Sequence, residues 1–480
     1  MESLLAAISD GTKWSLRKLE KLVFAIVVEI IRRELVEILH LLDEYLMVHR
    51  DSQRYRLRAR RKRTLETMFG PITFGRRYYW DTKERKRVYL LDEQLGLGKR
   101  DQVSPVLNEL AIYWATKGSS YRDARDRLED LYGYRVLSHE TIRRHLLRWA
   151  ESAKAREEEE AERAEGRRKV PAIFLESDGL VVALQRRRRR DRPPEGETPR
   201  RTEVKIGVKH EGWAPRWRGA EAHGAWRLKN PGYYASLARE GWEYWEGVRG
   251  YLSREYTDLD ETQIVINGDA ANWIIAGLEH FARAIYQYDR FHITRDLRRA
   301  LAGQKERWHA AREALQASDL PALLRELDLA LQGEKLSRRR ERIVELRQRI
   351  TRYWEYIRDY RERLGEAADP SWQAVGSGEA HIALFENRLT GHGRAWGSGL
   401  EGMLTALCHY LQGDLRSVLR EPWPSGEEPV VRQVVESAAS YLSRREARRY
   451  ALGIRQGRVP LLERGNHGMG HILRRIFGLR

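Results

Sequence analysis

The sequence predicts an α/β fold, with a sheet in the middle of the chain and long helical regions on either side of it. Three observations point there. Apolar or alternating runs follow one another at Ala172–Glu176, Leu180–Leu184 and Glu203–His210, the pattern of strands in series. Strand-like runs then alternate with helix-like ones from Gln263 to Asp289, as in units that build a parallel sheet. Helical spacing of apolar residues continues for tens of residues before and after this stretch.

At 480 residues the chain is too long for one compact core. Lys and Arg number 88 against 70 Asp and Glu, a formal charge of +18. That excess favours a polyanionic partner, because cations displace counterions from phosphate backbones. The single cysteine, Cys408, excludes a disulfide framework and a Cys-based zinc site within the chain, and it fits a reducing compartment. The most apolar run, Leu22–Ile31, contains Glu29, is followed by Arg32 and Arg33, and is too short to span a bilayer. With no signal peptide read at the N-terminus, a soluble cytoplasmic protein without membrane association is expected.

Trp14–Val48 reads as one helix, with Leu19, Val23, Ile26, Ile30, Leu35, Ile38, Leu42 and Tyr45 at helical spacing. A stripe that long must pack within the chain or on a second copy. A basic run follows, with seven cations in the ten residues from Arg54 to Arg63. It leads into a hairpin expected over Thr64–Trp80, turning at Gly70-Pro71. Arg58, Arg60, Arg61, Lys62 and Arg63 are candidates for phosphate contact, the alternative being a solvated charged face. Ser104–Trp149 reads as helical. Ala124, Leu128 and Leu131 share one face of a first helix, a link containing Gly133 follows, and Ser138 caps a second helix. That second helix sets Ile142, Leu146 and Trp149 on one face and Thr141, Arg144, His145 and Arg148 on the other. An apolar face for docking and a cationic face for the major groove is helix-turn-helix logic, although plain helical hairpins share the pattern.

Ala150–Lys169 reads as a helical connector. The three strand runs then suggest an antiparallel meander, interrupted by five arginines at Arg186–Arg190 and a loop at Pro193-Pro194. Tyr233–Leu252 reads as mainly helical and Ala271–Arg283 as a helix, with strands at Gln263–Asn267 and Ala284–Tyr288. Ile293–Leu364 reads as charged amphipathic helix, with Ile343, Leu346, Ile350, Ile357 and Leu364 in one stripe. Leu400–Gln412 and Val430–Ala451 read as helices, and Arg474–Arg480 as a basic tail.

The acids fall where the strands end. Asp178 follows one apolar run and Asp269 ends another. Carboxylates at the ends of neighbouring strands converge at one sheet edge and form a hard-oxygen site suited to Mg²⁺. Two such ions, about 4 Å apart, suit an in-line displacement at phosphorus. Taken alone, each Asp beside a Gly also fits a turn. Asp289 and His292 lie three apart where a strand passes into a helix, fitting either a phosphate-holding or acid-orienting role or a helix cap with a bonded histidine.

Several phrases resemble one family nearly end to end: Glu176-Ser-Asp-Gly179, Asn267-Gly-Asp-Ala270, Tyr288-Asp-Arg-Phe-His292, Ser377-Gly-Glu-Ala-His381, Leu90-Leu-Asp-Glu-Gln-Leu-Gly-Leu97 and Ser138-His-Glu-Thr-Ile142. The chain resembles DDE transposases of the bacterial insertion-sequence ISLre-two family, relatives of Mutator-like enzymes. The resemblance implies a ribonuclease-H-like core that cleaves and joins DNA, with Asp178, Asp269 and Glu379 as catalytic, metal-binding acids. It implies two Mg²⁺ ions, with Mn²⁺ substituting. Asp289 and His292 match an Asp-x-x-His element beside that site. The chain reads Gly-Glu-Ala-His where the family tends to read Ala-Glu-Gly-His, so the third acid is Glu379 or Glu401, with the small neighbours Gly378 and Ala380 favouring Glu379.

The implied segments are 1–100 with the long helix and basic hairpin, 101–169 with the helix-turn-helix and connector, 170–302 as the first part of the core, 303–370 as an all-helical insertion, and 371–480 as the last part of the core with C-terminal helices. Implied partners are double-stranded DNA at element ends and target, and further copies of the chain when assembled on DNA. A nuclease or resolvase of the same fold, and a DNA-binding protein without catalysis, are the alternatives.

Overall fold

The computed structural model describes residues 15–185 and 201–420, which form two compact units divided between Leu110 and Ala111. The Arg186–Arg190 run, the Pro193-Pro194 loop, the Val430–Ala451 helix and the Arg474–Arg480 tail lie outside the described residues.

The first unit opens with α1 (Leu16–His49), where the Ser15 hydroxyl accepts the Lys18 N–H. Leu35, Val36, Leu39, Leu42 and Leu46 on one face of α1 pack with Leu65, Ile72, Phe74 and Leu91. The expected hairpin is present as β1 (Tyr55–Thr67) and β2 (Gly70–Asp81), and β3 (Lys86–Val88) adds a third antiparallel strand that the sequence reading lacked. The basic run does not precede the hairpin; it makes up most of β1. What packs over each cation then decides what it does. Arg58, Arg60, Arg61 and Lys62 are exposed, whereas Arg63 turns inward beneath α2 (Leu90–Gln94).

In the second unit, α4 (Tyr121–Tyr132) ends at Gly133, whose φ of 77° is the left-handed cap conformation that glycine adopts without strain. Ser138 caps α5 (His139–Arg163) by accepting the Thr141 N–H. α3 (Pro105–Lys117), whose first residues belong to the first unit, precedes them in the chain. Ala124, Leu128, Ile142 and Leu146 are buried as their spacing predicts, but Leu131, in the last turn of α4, is 47% exposed. The expected connector is a continuation of α5, with Ala150 and Ala153 buried along it.

The main sheet is mixed. β4 (Ala172–Leu184), β5 (Arg201–His210), β8 (Gly232–Ser236), β9 (Gln263–Gly268) and β10 (Ala284–Tyr288) lie in the order β8-β5-β4-β9-β10. The first three in the chain are antiparallel, and β9 and β10 run parallel to β4. The two runs expected on either side of Ser177-Asp178-Gly179 are one strand. Those three residues pair with Gly207, Ile206 and Lys205 without a break, because β5 satisfies their backbone groups. The third strand of the meander is β8, drawn from a stretch expected to be helical; α6 (Gly241–Ser253) starts only after it. β6 (Trp213–Pro215) and β7 (Trp226–Leu228) form a small hairpin. In place of the helix expected over Ala271–Arg283 stand the single-turn α7 (Asn272–Ile275) and a 3₁₀ turn, Ala276–Glu279.

Strand alternation divides β4 between two cores. Ile173 and Leu175 join Tyr244, Trp245, Val248 and Leu252 of α6 in one. Ala172 and Phe174 join Trp213, Tyr360 and Trp372 in the other. The charged segment after the sheet is helical as predicted: α8 (Arg290–Ala300), α9 (Lys305–Gln316), α10 (Leu320–Gly333), α11 (Ser337–Ile357) and α12 (Tyr360–Leu364). Ile343, Leu346, Ile350 and Ile357 are buried. The described chain closes with α13 (Gly378–Leu389), β11 (Ala395–Trp396, parallel to the end of β4), α14 (Leu400–Gln412) and α15 (Leu415–Leu419).

Candidate active site

Along β4, Phe174, Glu176 and Asp178 share one side. Phe174 stacks on His210, but the next two residues on that side are acids. The register pairs Glu176 with Asn267 of β9, so Asp178 and Asp269, two residues further along each chain, come to the same edge. Asp178 is half-buried within the strand rather than beyond its end. Its Oδ1 accepts the Gly179 N–H at 2.7 Å. Burial raises its pKa, and the nearby charges of Asp269 and Glu379 add to that while His292 opposes it.

Asp269 is exposed in a tight turn. Its Oδ1 accepts the Ala271 N–H at 3.1 Å, and Ala270 has a φ of 66°, a left-handed conformation that costs a non-glycine residue energy. The Tyr286 hydroxyl holds that turn from the neighbouring strand, accepting the Ala270 N–H at 2.7 Å and donating to the Gly268 carbonyl at 2.8 Å.

β10 delivers Asp289, which caps α8 by accepting the Phe291 N–H at 2.8 Å. Burial pushes its carboxyl up to about 6. His292, one turn on, has Nε2 at 3.8 Å from Asp289 Oδ2 and 3.9 Å from Glu379 Oε2. Arg295 Nη2 lies 2.9 Å from His292 Nδ1. A guanidinium has only protons to offer, so Nδ1 accepts from Arg295 and Nε2 is the ring nitrogen that faces the two carboxylates. At 3.8 and 3.9 Å His292 Nε2 faces both acids without a hydrogen bond to either.

α13 supplies Glu379. One donor atom each of Asp178, His292 and Glu379 lies within 4.8 Å of the others, and this is the group of potential metal ligands found among the described residues. Asp269 is outside that group, although it shares the edge. Glu401 is elsewhere: on α14, it pairs with Lys154 of α5 at the surface. The donor set fits a hard divalent ion through its carboxylates, which crowd together beside the His292 ring.

Among the other expected contact residues, Arg144 and Arg148 are exposed on α5, and Thr141 and His145 are half-buried. Thr141 is engaged with the cap, its hydroxyl 2.9 Å from that of Ser138. Arg63 is withdrawn from any phosphate: its guanidinium donates to Asp92 at 2.7 Å and to the carbonyls of Gly98 and Asp101, both at 2.8 Å. Sequence reasoning gave no role to Glu176, which is fully buried at the centre of the site. The signal was present, since an acid inside an apolar strand, two residues from Asp178, shares its face.

Together the fold and the site define a mixed α/β protein with a carboxylate-lined sheet edge able to hold a divalent cation. The chain belongs to the family UPF0236, an uncharacterised protein family whose model matches residues 11–421. It is 25% identical over 373 residues to the UPF0236 protein TTE2489 of Caldanaerobacter subterraneus subsp. tengcongensis, covering 77% of this chain and 73% of that one. A second protein of that organism, UPF0236 protein TTE1650/TTE2708, is 24% identical over 373 residues, covering 77% and 68%. Among solved structures, the Drosophila P element transposase strand transfer complex aligns with 69% of this chain and 86% of its own at 11% identity, with a TM-score of 0.24, too low to carry an argument. No helix among the described residues is long and apolar enough to cross a membrane.

Proposed function

We propose that the protein is a DDE-type DNA transposase of an insertion sequence, cleaving DNA at element ends and joining them to target DNA. The observation that carries this reading is the placement of Asp178 and Asp269 at one edge of neighbouring parallel strands, with Glu379 brought to Asp178 by a helix that follows a long helical segment. Two further features support it. Numbered along the chain, the five strands lie in the order 3-2-1-4-5 with the first three antiparallel, the arrangement of a ribonuclease-H-like core. The name of another relative joins eleven designations in one genome, as repeated copies of a mobile element would.

In this reading 170–302 carries the first part of the core, 303–370 is the insertion, the last part of the core begins at 371, and α4 and α5 are a helix-turn-helix. Asp178, Asp269 and Glu379 would hold two Mg²⁺ ions, or Mn²⁺ in their place, whose chemistry there would be to activate the attacking oxygen and stabilise the leaving one. His292, its Nε2 facing Asp289 and Glu379, stands between the two acids as a group that orients them. Arg144 and Arg148, with Thr141 and His145, face the major groove, and Arg58, Arg60, Arg61 and Lys62 contact phosphates. The net charge of +18 suits that partner, and the active assembly contains more than one copy.

The test is a supercoiled plasmid carrying the DNA that flanks the coding region on both sides, incubated with the protein and Mg²⁺ or Mn²⁺. Excision or strand transfer is expected, and it should be lost in Asp178→Asn and Asp269→Asn while DNA binding persists. Metal-dependent cleavage undiminished in both variants would overturn the assignment.

A further inference from the structure

We infer that Glu176 is a positioning residue: its buried carboxylate seats the first turn of α13 on β4 and so sets where Glu379 lies relative to Asp178. The inference rests on the carboxylate-site reading above.

Glu176 is 1% exposed, and both of its oxygens are fully used. Oε2 accepts the Gly378 N–H at 2.7 Å, the Gly376 N–H at 3.0 Å and the Asn267 side-chain amide at 3.3 Å. Oε1 accepts the Ser377 hydroxyl in a short contact and faces His210 Nε2 at 3.3 Å. Three of these partners are consecutive residues at the start of α13. A helix start leaves unpaired N–H groups that a cap residue usually satisfies. Ser377 occupies the cap position of α13 but makes no cap bond, because its hydroxyl is turned to Glu176. The cap therefore comes from a strand some 200 residues away in sequence, a separation of 202 for the Gly378 bond. A carboxylate suits the task, being negative at the positive end of a helix.

The glycines fit the same arrangement. A Cβ on Gly378 would lie 3.2 Å from the Glu176 Cβ and 3.4 Å from Oε2, so a side chain there would press α13 and β4 apart by a few tenths of an ångström. Gly376 has a φ of 135°, a conformation side chains rarely adopt. A second tie holds the same turn from β8, where the Tyr233 hydroxyl lies 2.7 Å from His381 Nδ1. Glu379 itself is about half exposed, with a side-chain exposure of 48%, so its position follows from that of its helix.

The experiment compares Glu176→Gln, Gly378→Ala and Asp178→Asn with the wild type, in the full chain, by hydrogen exchange, Mn²⁺ binding and thermal melting. For Glu176→Gln, amides in the segment 375–382 should exchange about tenfold to a hundredfold faster, and Mn²⁺ should bind about tenfold more weakly, while exchange in β9 and α14 is unchanged. Gly378→Ala keeps the acid but displaces the helix, so it should show the same pair of effects even if Glu176→Gln does not fold. Wild-type exchange in 375–382 and wild-type Mn²⁺ affinity in the folded variants would overturn the inference, as would faster exchange spread evenly over the sheet. Asp178→Asn separates the two ideas. It should keep the wild-type exchange pattern and lose Mn²⁺ binding. If it binds Mn²⁺ normally, the carboxylate-site reading fails. If it loses Mn²⁺ while the Glu176 and Gly378 variants behave as wild type, only the positioning role fails.

Discussion

Asp92 in the N-terminal hairpin unit and Asp289 in the sheet unit are about equally buried, at 5% and 4% exposure. Their surroundings differ. Asp92 lies between two guanidinium groups, Arg63 at 2.7 Å and Arg76 at 2.8 Å. Asp289 has His292 at 3.8 Å, with the acids Glu176 and Asp178 close enough to raise its pKa further. The pattern extends to neighbours. The Arg54 side chain holds the Asp81 carboxyl down at about 2, whereas burial pushes Asp289 up to about 6. Acids matched by arginines hold the hairpin to its helices. Acids buried without a cation carry a desolvation cost, which converging donors offset at Glu176 and which a proton or a metal ion would relieve at Asp289.

The comparison can be broken most sharply at Glu379. Glu379→Gln should lower metal-dependent cleavage about a thousandfold, roughly 4 kcal/mol of barrier, without lowering the melting temperature. A fully active variant would remove Glu379 from the site. The mirror-image case is Asp92→Ala, which takes the counter-charge from two buried guanidinium groups. It should cost about 3–5 kcal/mol of stability in chemical denaturation and leave the metal affinity of the sheet unit unchanged. A loss under about 1 kcal/mol would mean that the pair is not structural.

The pH dependence should carry opposite signs in the two regions. Asp289 binds its proton more tightly when folded, so its contribution is present below the ordinary carboxylate range and lost as pH rises from about 4 to about 6. In metal-free protein that loss is on the order of 3 kcal/mol, and Asp289→Asn, which can still cap α8, should flatten it. Melting curves between pH 4 and 6.5 check this, and an unchanged slope in the variant would show that another group is responsible.

A smaller effect is expected on α5. Arg144→Ala should weaken binding to the element ends by about 1–3 kcal/mol and relax sequence preference, read from titrations on specific and random DNA. Equal losses on both would leave Arg144 a phosphate contact. The smallest effect belongs to Glu401→Gln, which breaks an exposed pair with Lys154 and should change stability by less than about 0.5 kcal/mol, with cleavage at the wild-type level. Lost cleavage there would return the third acid to Glu401.

By itself the sequence determined the periodic elements: α1, the hairpin, α4 and α5 with the Ser138 cap, β9 and β10, and the helices from α8 to α12. Each is written in local spacing or cap chemistry, which neighbours along the chain suffice to define. It also marked Asp178 and Asp269 through the strands that carry them. The tertiary structure decided what depends on partners distant in sequence. Ser177-Asp178-Gly179 reads as a turn until β5 pairs with it, and Tyr233-Tyr234 reads as helix until β5 makes it a strand. Arg63 is indistinguishable from Arg61, on the same face of β1, until the fold sets Asp92 of α2 over one of them and leaves the other exposed. Glu379 and Glu401 stand on similar helix starts, and only packing sends one to Asp178 and the other to Lys154. Glu176 shows the physical reason most fully: a buried carboxylate is tolerated only where enough donors converge on it, and here they come from β5, β9 and the start of α13, segments that only the folded chain brings together.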